Sequence, residues 1–323
     1  MKKLLSIFAA LTIAFSVSGC TAQTPEQAAI AMFDSLPKKC EAYPDGNLSK
    51  SLVVKGTSGV PKVTFKPGLT PKKPEVHLVN EGQGAMFTGN QTVTFEIAAI
   101  NGQTGEAYPE SSGFLTKFDR SNAVTTLASD DQTPQINLCS VFAGHRVGSR
   151  VAGVFPLKTD ATSQGPKSIV LVLDLINVFL PRATGPEKSA VSGIPSAVRS
   201  ATTGEPGLVF PSNVQAPTGF EEYVSVEGAG AELKTGDHIL AHYKLYLWNE
   251  EHTMVQSSWA SQPLDLTVGT GLIEGFSKAL VGQKIGSQVV AVIPPALGYG
   301  DAEQQSIPAK STLVFVIDIL GKY

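Results

Sequence analysis

The chain has 323 residues, enough for two domains, and carries a net charge of −3 with only 16% charged residues. A slightly acidic chain offers no basic footprint for nucleic acid, which excludes DNA and RNA as partners. Sparse charge beside plentiful Ser, Thr, Gln and Gly favours an exported protein over a cytosolic one.

Lys2 and Lys3 give a positive start, and Leu4 to Val17 is an apolar run too short to span a bilayer comfortably. Val17-Ser18-Gly19-Cys20 then resembles the lipobox of bacterial lipoprotein signal peptides. The resemblance implies cleavage of residues 1–19 and acyl chains on Cys20. The mature protein is then expected at the extracytoplasmic face of the cell membrane, because several chains anchor stably where one is marginal. An ordinary secretory signal with a chance cysteine is the plainer alternative. No later stretch reads as a transmembrane helix.

Residues 20–49 form an N-terminal segment. Thr24-Pro25-Glu26-Gln27 predicts a helix start, with Thr as N-cap and Pro at the first helical position. Ile30, Met32, Phe33 and Leu36 follow, and Pro37 ends the segment. So short a helix must lie against something else. Cys40 and Cys139 are the remaining cysteines. In an oxidising compartment they could pair and staple this segment to the first domain; two buried thiols are the other reading.

Residues 50–182 repeat the pattern of residues 206–323. Pro61 to Phe65 echoes Pro206 to Phe210, Glu81-Gly-Gln-Gly-Ala85 echoes Glu227-Gly-Ala-Gly-Ala231, and Gly89-Asn90 echoes Gly236-Asp237. Phe142 to Pro156 follows Leu280 to Pro294 nearly step for step, and Ser168 to Asp174 follows Thr312 to Asp318. Glycine turns and strand patterns are shared. His242-Tyr243, however, lines up with Phe95-Glu96, and Ile273 and Phe276 line up with Gln135 and Leu138. Leu157 to Lys167 holds no Tyr-Gly and no Ile-Pro. Between the copies, 183–205 reads as a linker rich in Ser, Ala, Gly, Pro and Thr, allowing some relative freedom.

In the second copy, Gln288 to Ile293 and Thr312 to Leu320 alternate as strands with a buried face. Ile273 to Leu280 predicts one short helix ended by a turn at Gly282. A Pro/Gly-rich loop exposes Tyr299. The set His242-Tyr243, Ser257-Ser258, Gly271-Leu-Ile-Glu-Gly-Phe276, Gly298-Tyr-Gly300, Ile307-Pro308 and Leu313-Val-Phe315 resembles the FKBP-type peptidyl-prolyl isomerases over about the last hundred residues.

The resemblance implies an α+β fold of two FKBP-like domains. Each is a bent, mainly antiparallel β-sheet wrapped around a short α-helix. It implies a prolyl cis–trans isomerase that assists folding of exported proteins, needs no cofactor, acts on proline-containing unfolded chains and binds macrolide ligands. Tyr243, Ile273, Phe276, Tyr299 and Phe315 become the catalytic positions, and Val255, Gln256, Leu264, Leu272 and Ile307 the substrate-binding ones. Phe276 would form the floor where the family usually has Trp, with Phe315, Tyr243 and Leu264 as walls. The Ile273 N–H and the Tyr299 hydroxyl would each meet a substrate carbonyl.

Three positions depart from the family pattern. Val255-Gln256 replaces the usual Phe-Asp, Leu264 replaces an aromatic wall, and the Gly300 to Ser306 loop is short and holds Asp301, Glu303, Gln304 and Gln305. The competing readings are a binding module or chaperone that has lost turnover, and a purely structural tandem repeat. The first copy is expected to be a scaffold without isomerase activity.

The five histidines, His77, His145, His238, His242 and His252, show no metal-ligand spacing. His238 and His242 share a strand face but lie about 13 Å apart. No Gly-x-Ser-x-Gly or Cys/His arrangement supports a hydrolase.

Overall fold

The structure, a computed structural model, describes residues 25–56, 60–89, 91–108, 125–127, 136–157 and 167–323, apart from 35, 37 and 39. Cys20, Thr24 and Gln135 lie outside the described residues. The N-terminal half runs α1 (Pro25–Asp34), α2 (Asn47–Lys50), β1 (Val53–Lys55), β2 (Lys62–Thr64), β3 (Glu75–Asn80), β4 (Gln91–Asn101), β5 (Thr125–Leu127), α3 (Leu138–Phe142), β6 (Arg150–Pro156) and β7 (Ser168–Val178). The C-terminal half runs β8 (Ser196–Arg199), β9 (Pro206–Val209), β10 (Glu221–Val226), β11 (His238–Leu247), β12 (Met254–Ser257), β13 (Leu264–Thr267), α4 (Glu274–Leu280), β14 (Gln288–Ile293) and β15 (Leu313–Lys322).

The two sheets share one order. The first is β3-β6-β7-β4-β5 and the second β10-β14-β15-β11-β12, with β13 also on β11. The pairings are antiparallel. The central strand of each is apolar on both faces, and strand alternation shows why. Ile169, Leu171, Leu173 and Leu175 enter one core, while Val170 and Val172 enter another. Leu313, Phe315, Ile317 and Ile319 enter a core with α4, while Val314 and Val316 face the back. A hairpin covers each back: β1–β2 over the first sheet, β8–β9 over the second.

That hairpin changes the reading of 183–205. The stretch carries β8, and its neighbour Ile194 is 6% exposed. Its backbone is bonded to the second domain through Thr184 N–H to Gly286 O at 2.9 Å and Lys188 N–H to Ser225 O at 2.8 Å, and just before it Leu180 N–H donates to Leu320 O at 3.0 Å. The two halves also share a core, in which Leu240 and Leu320 join Met32, Phe33, Phe179 and Leu180. A low-complexity composition suggested a loose tether. The backbone bonds and Ala183, 1% exposed, instead make a docked strap.

The register corrects the alignment of the repeats by one residue. Met86 faces Arg146 in one copy as Glu232 faces Lys284 in the other. Equal steps along the chain then put Glu96 opposite Asp174 and His242 opposite Asp318. The counterpart of Tyr243 is therefore Ile97, and His242-Tyr243 lines up with Glu96-Ile97 rather than Phe95-Glu96. The Gly-Asn and Gly-Asp pairs had suggested the wrong anchor.

Cys40 and Cys139 are joined as a disulfide, with Cα atoms 5.9 Å apart. The bond clips the segment after α1 to α3. Tyr43 adds to the clip: its hydroxyl accepts the Asn137 N–H at 3.0 Å, and its own N–H donates to Ser140 O at 3.1 Å.

Candidate active site

The cup forms where α4 lies across the concave face of the second sheet. The helix starts at Glu274 with Ile273 as its N-cap and is ended by a turn at Gly282, whose φ of +82° suits glycine. Gly275 is what lets the helix sit so low, because a methyl group there would collide with Ile293. Phe276 consequently points into the sheet at 4% exposure.

Three rings meet there. Phe276 and Phe315 are edge to face at 4.9 Å, Tyr243 and Phe276 at 6.2 Å, and Tyr243 and Phe315 are tilted at 6.1 Å. Ile307 joins the same core at 7% exposure, and Val255, Leu272, Ile273 and Tyr299 pack half-buried against it. Leu297 packs there as well, a neighbour the sequence reading left out. Its signal lay in the Leu-Gly-Tyr-Gly run, overshadowed by the aromatic.

The two remaining predicted positions sit at the rim. Leu264 lies opposite Ala241, on the cup side of β13, and is 37% exposed. Gln256 lies opposite Leu245, which is buried in the cup core. A bulge between Leu245 and Tyr246 leaves Val255 as the extra residue of β12, so Val255 packs on the core beside Gln256 instead of alternating away.

Burial and the neighbouring Tyr299 push the Tyr243 hydroxyl above its ordinary pKa, so it stays a neutral phenol. The Tyr299 ring projects from a turn in which Gly300 N–H bonds Pro295 O at 2.9 Å. The cup is thus an apolar, aromatic-floored depression with a phenol on its wall and another at its rim. A separate concavity of about 740 Å³ opens beside the strap, lined by Pro186, the Glu227–Glu232 turn, Lys234, Lys284 and Lys322, and has no aromatic in its lining.

The match to known proteins falls on this half. A family model described as FKBP-type peptidyl-prolyl cis-trans isomerase covers residues 230–320. FK506-binding protein 1A of Neurospora crassa is 38% identical over 106 residues, spanning 32% of this chain and 88% of that protein. The chain belongs to the FKBP-type peptidyl-prolyl cis-trans isomerase family.

FK506-binding protein 2 of Debaryomyces hansenii is 39% identical over 119 residues, 35% of this chain and 85% of that protein. Among solved structures, AtFKBP13 is 31% identical, covers 33% of this chain and 96% of its own, and gives a TM-score of 0.30. FkpA from Escherichia coli is 32% identical, covers 35% of this chain and 52% of its own, and gives 0.31. Prolyl rotation makes and breaks no covalent bond. The amide barrier is about 18–20 kcal/mol because twisting breaks resonance, and a catalyst need only hold the twisted form better than the planar ones.

The first copy keeps the frame without the rings. Register places Ile97 and Leu171 where the second copy has Tyr243 and Phe315, and α3 carries Leu138 at the Phe276 position. The counterpart of the Tyr299 loop falls largely in 158–166, outside the described residues.

Proposed function

We propose that the second domain isomerises Xaa-Pro bonds in its aromatic cup and that the protein, lipid-anchored through Cys20 at the extracytoplasmic face of the membrane, assists the folding of exported proteins. The observation that carries the catalytic part is the contact of Tyr243, Phe276 and Phe315 around one apolar floor. A proline ring on that floor brings its amide into a neutral surround. Twisting lowers the charge separation of the amide, so this surround favours the twisted form. Ile273 is the N-cap of α4, so its N–H has no intrahelical acceptor, and it meets a substrate carbonyl. The Tyr299 hydroxyl meets the carbonyl beside the prolyl bond. Val255, Gln256, Leu264, Leu272 and Ile307 frame the residues flanking proline. Macrolides of the kind named for the relatives would compete for the same floor.

Export is supported by the Lys2-Lys3 start, the Leu4 to Val17 run and the Val-Ser-Gly-Cys20 motif. The Cys40–Cys139 disulfide belongs to an oxidising compartment. Uncatalysed prolyl rotation takes tens of seconds or longer, which gives a folding helper its use. The first domain serves as a scaffold or client-holding surface, without turnover of its own.

The test is a protease-free isomerisation assay on the whole mature chain, because β8 and the shared core make residues 206–323 alone an incomplete unit. A rate that a macrolide inhibits and that Phe276→Ala removes is expected. Clear macrolide binding without any rate would make the protein a binding module, with Gln256 the suspect. For the anchor, incorporation of labelled fatty acid that survives Cys20→Ser would overturn the lipid assignment.

A further inference from the structure

Ser258, the residue just past β12, and His242 beside Tyr243 play no part in the cup itself, yet they meet directly behind it. Alternation along β11 turns Tyr243 into the cup and His242 away from it. On one edge, β11 pairs with β15 throughout this region, Tyr243 lying opposite Ile317. The other edge is covered by two short strands with a gap between them. β12 reaches only to Lys244, opposite Ser257, and β13 only to Ala241, opposite Leu264. His242 and Tyr243 fall in the gap, where no ladder holds them on that side.

Ser258 fills it. The Ser258 N–H donates to the Tyr243 carbonyl at 3.1 Å, and the Tyr243 N–H donates back to Ser258 Oγ at 2.9 Å. The same Oγ lies 2.9 Å from His242 Nδ1. A hydroxyl has one proton to give, and the Tyr243 carbonyl, 3.4 Å away and already bonded to the Ser258 N–H, is the poorer acceptor. Ser258 therefore donates to Nδ1, and His242 carries its own proton on Nε2. Trp259 stacks over the imidazole at 4.5 Å. Burial pushes the His242 pKa down to about 4, keeping the ring neutral as this bond requires.

We propose that Ser258 and His242 are positioning residues for the isomerisation, clamping the backbone of Tyr243 so that its ring stays on the cup wall. This rests on the cup being the isomerase site. Ser258 replaces the missing ladder bonds of Tyr243 on both polar atoms, and His242 orients the hydroxyl so that its lone pair, not its proton, faces the Tyr243 amide. Without the clamp neither polar atom of the wall residue's backbone keeps its partner, and only the pairing of β11 with β15 on the other edge holds the strand there, two residues from the bulge against β12.

The experiment uses the full mature chain and an Xaa-Pro peptide in a protease-free assay. Ser258→Ala is expected to lower kcat/KM about tenfold, the size of one lost buried hydrogen bond, with kcat carrying most of it. Ser258→Thr keeps the hydroxyl, and His242→Asn keeps an acceptor near Nδ1, so both should recover most of the rate, while His242→Leu should not. Nitrogen NMR of His242 should show Nδ1 unprotonated, a signature lost in Ser258→Ala. Should Ser258→Ala fail to fold, His242→Leu decides the matter on the same readouts. Variants that lose thermal stability but turn over normally when folded would reduce the clamp to a structural bond and overturn the proposal. If Phe276→Ala abolishes the rate and the clamp variants do not lower it, only this inference falls. If Phe276→Ala is itself without effect, the cup assignment falls and the clamp with it.

Discussion

The two domains place an aspartate at the same point of the same sheet and surround it in opposite ways. In the first, Asp174 is held by Arg150 through two bonds of 2.6 Å, and the guanidinium is fully buried and also reaches the carbonyl of Gly56 beside the covering hairpin. In the second, Gln288 stands opposite Asp318, and the carboxylate accepts Gln288 Nε2 and the strap amide of Ala183, both at 2.7 Å. Burial pushes Asp318 up to about 6, with Arg182 and Arg199 opposing from a distance. One copy neutralises its buried charge internally; the other uses it to hold the strap that joins the domains. The front faces differ in parallel: at the three positions where the second carries Tyr243, Phe276 and Phe315, the first carries Ile97, Leu138 and Leu171, its own phenylalanines packing elsewhere in the core. A shared frame thus carries two different interiors.

The largest effect should come from breaking the closed pair. Arg150→Ala leaves Asp174 buried and uncompensated, and denaturant unfolding should show a loss of about 3–5 kcal/mol. Arg150→Gln imports the second copy's residue and should cost less, because an amide still donates one bond; an equal loss would mean the two aspartates are not equivalent. The next is the staple on α3, which α4 lacks, having Ser277 at the position of Cys139. Cys40→Ser should cost about 2–5 kcal/mol, since the bond closes a span of 99 residues. Thermal melts with and without reductant provide the check.

A smaller effect sharpens the functional contrast. Phe276→Leu, which gives the second copy the first copy's residue, should lower kcat/KM about tenfold while keeping the fold, since apolar swaps near constant volume are tolerated. The reverse change, Leu138→Phe, should yield no activity, because Ile97 and Leu171 still occupy the wall positions.

The smallest is a slope. Asp318 has a folded pKa near 6 against about 3.9 when unfolded, so the native state holds the proton more tightly between those values. Its contribution is fully present below about pH 4 and is lost as pH rises through 6. His242 acts in the opposite sense, being held neutral down to about 4 against 6.5 when unfolded, which removes stability as pH falls across that window. The informative quantity is therefore the difference between the parent and Asp318→Asn. The parent should gain stability relative to the variant on going from pH 7 to pH 5, and parallel curves would contradict the assignment.

Much of the fold was legible because strands announce themselves by alternation. Gln288 to Ile293 matches β14 residue for residue, and the strand read from Thr312 to Leu320 is β15 at Leu313–Lys322. The rings of the cup were legible for a different reason: the motifs carrying Tyr243, Phe276 and Phe315 resemble the family's, and the structure brings the three together. What stayed hidden depends on contacts between distant segments. The strap has a loop's composition, and only its bonds to Gly286, Ser225 and Asp318 make it structure. The one-residue offset between the copies was invisible because the Gly-Asn and Gly-Asp pairs look like the same turn. The Ser258 clamp could not be seen without knowing that β12 and β13 stop short on either side of Tyr243.

The shared core has a consequence for the inheritance of the two copies. Leu240 and Leu320 belong to the working domain, yet they are covered by Phe179 and Leu180 of the other, and Phe179 packs edge to face on Tyr323 at 5.7 Å. A lineage that deleted the first copy would bare those leucines on the outside of the second. Whatever its own chemistry, the first copy is in this way required by its partner as a foundation.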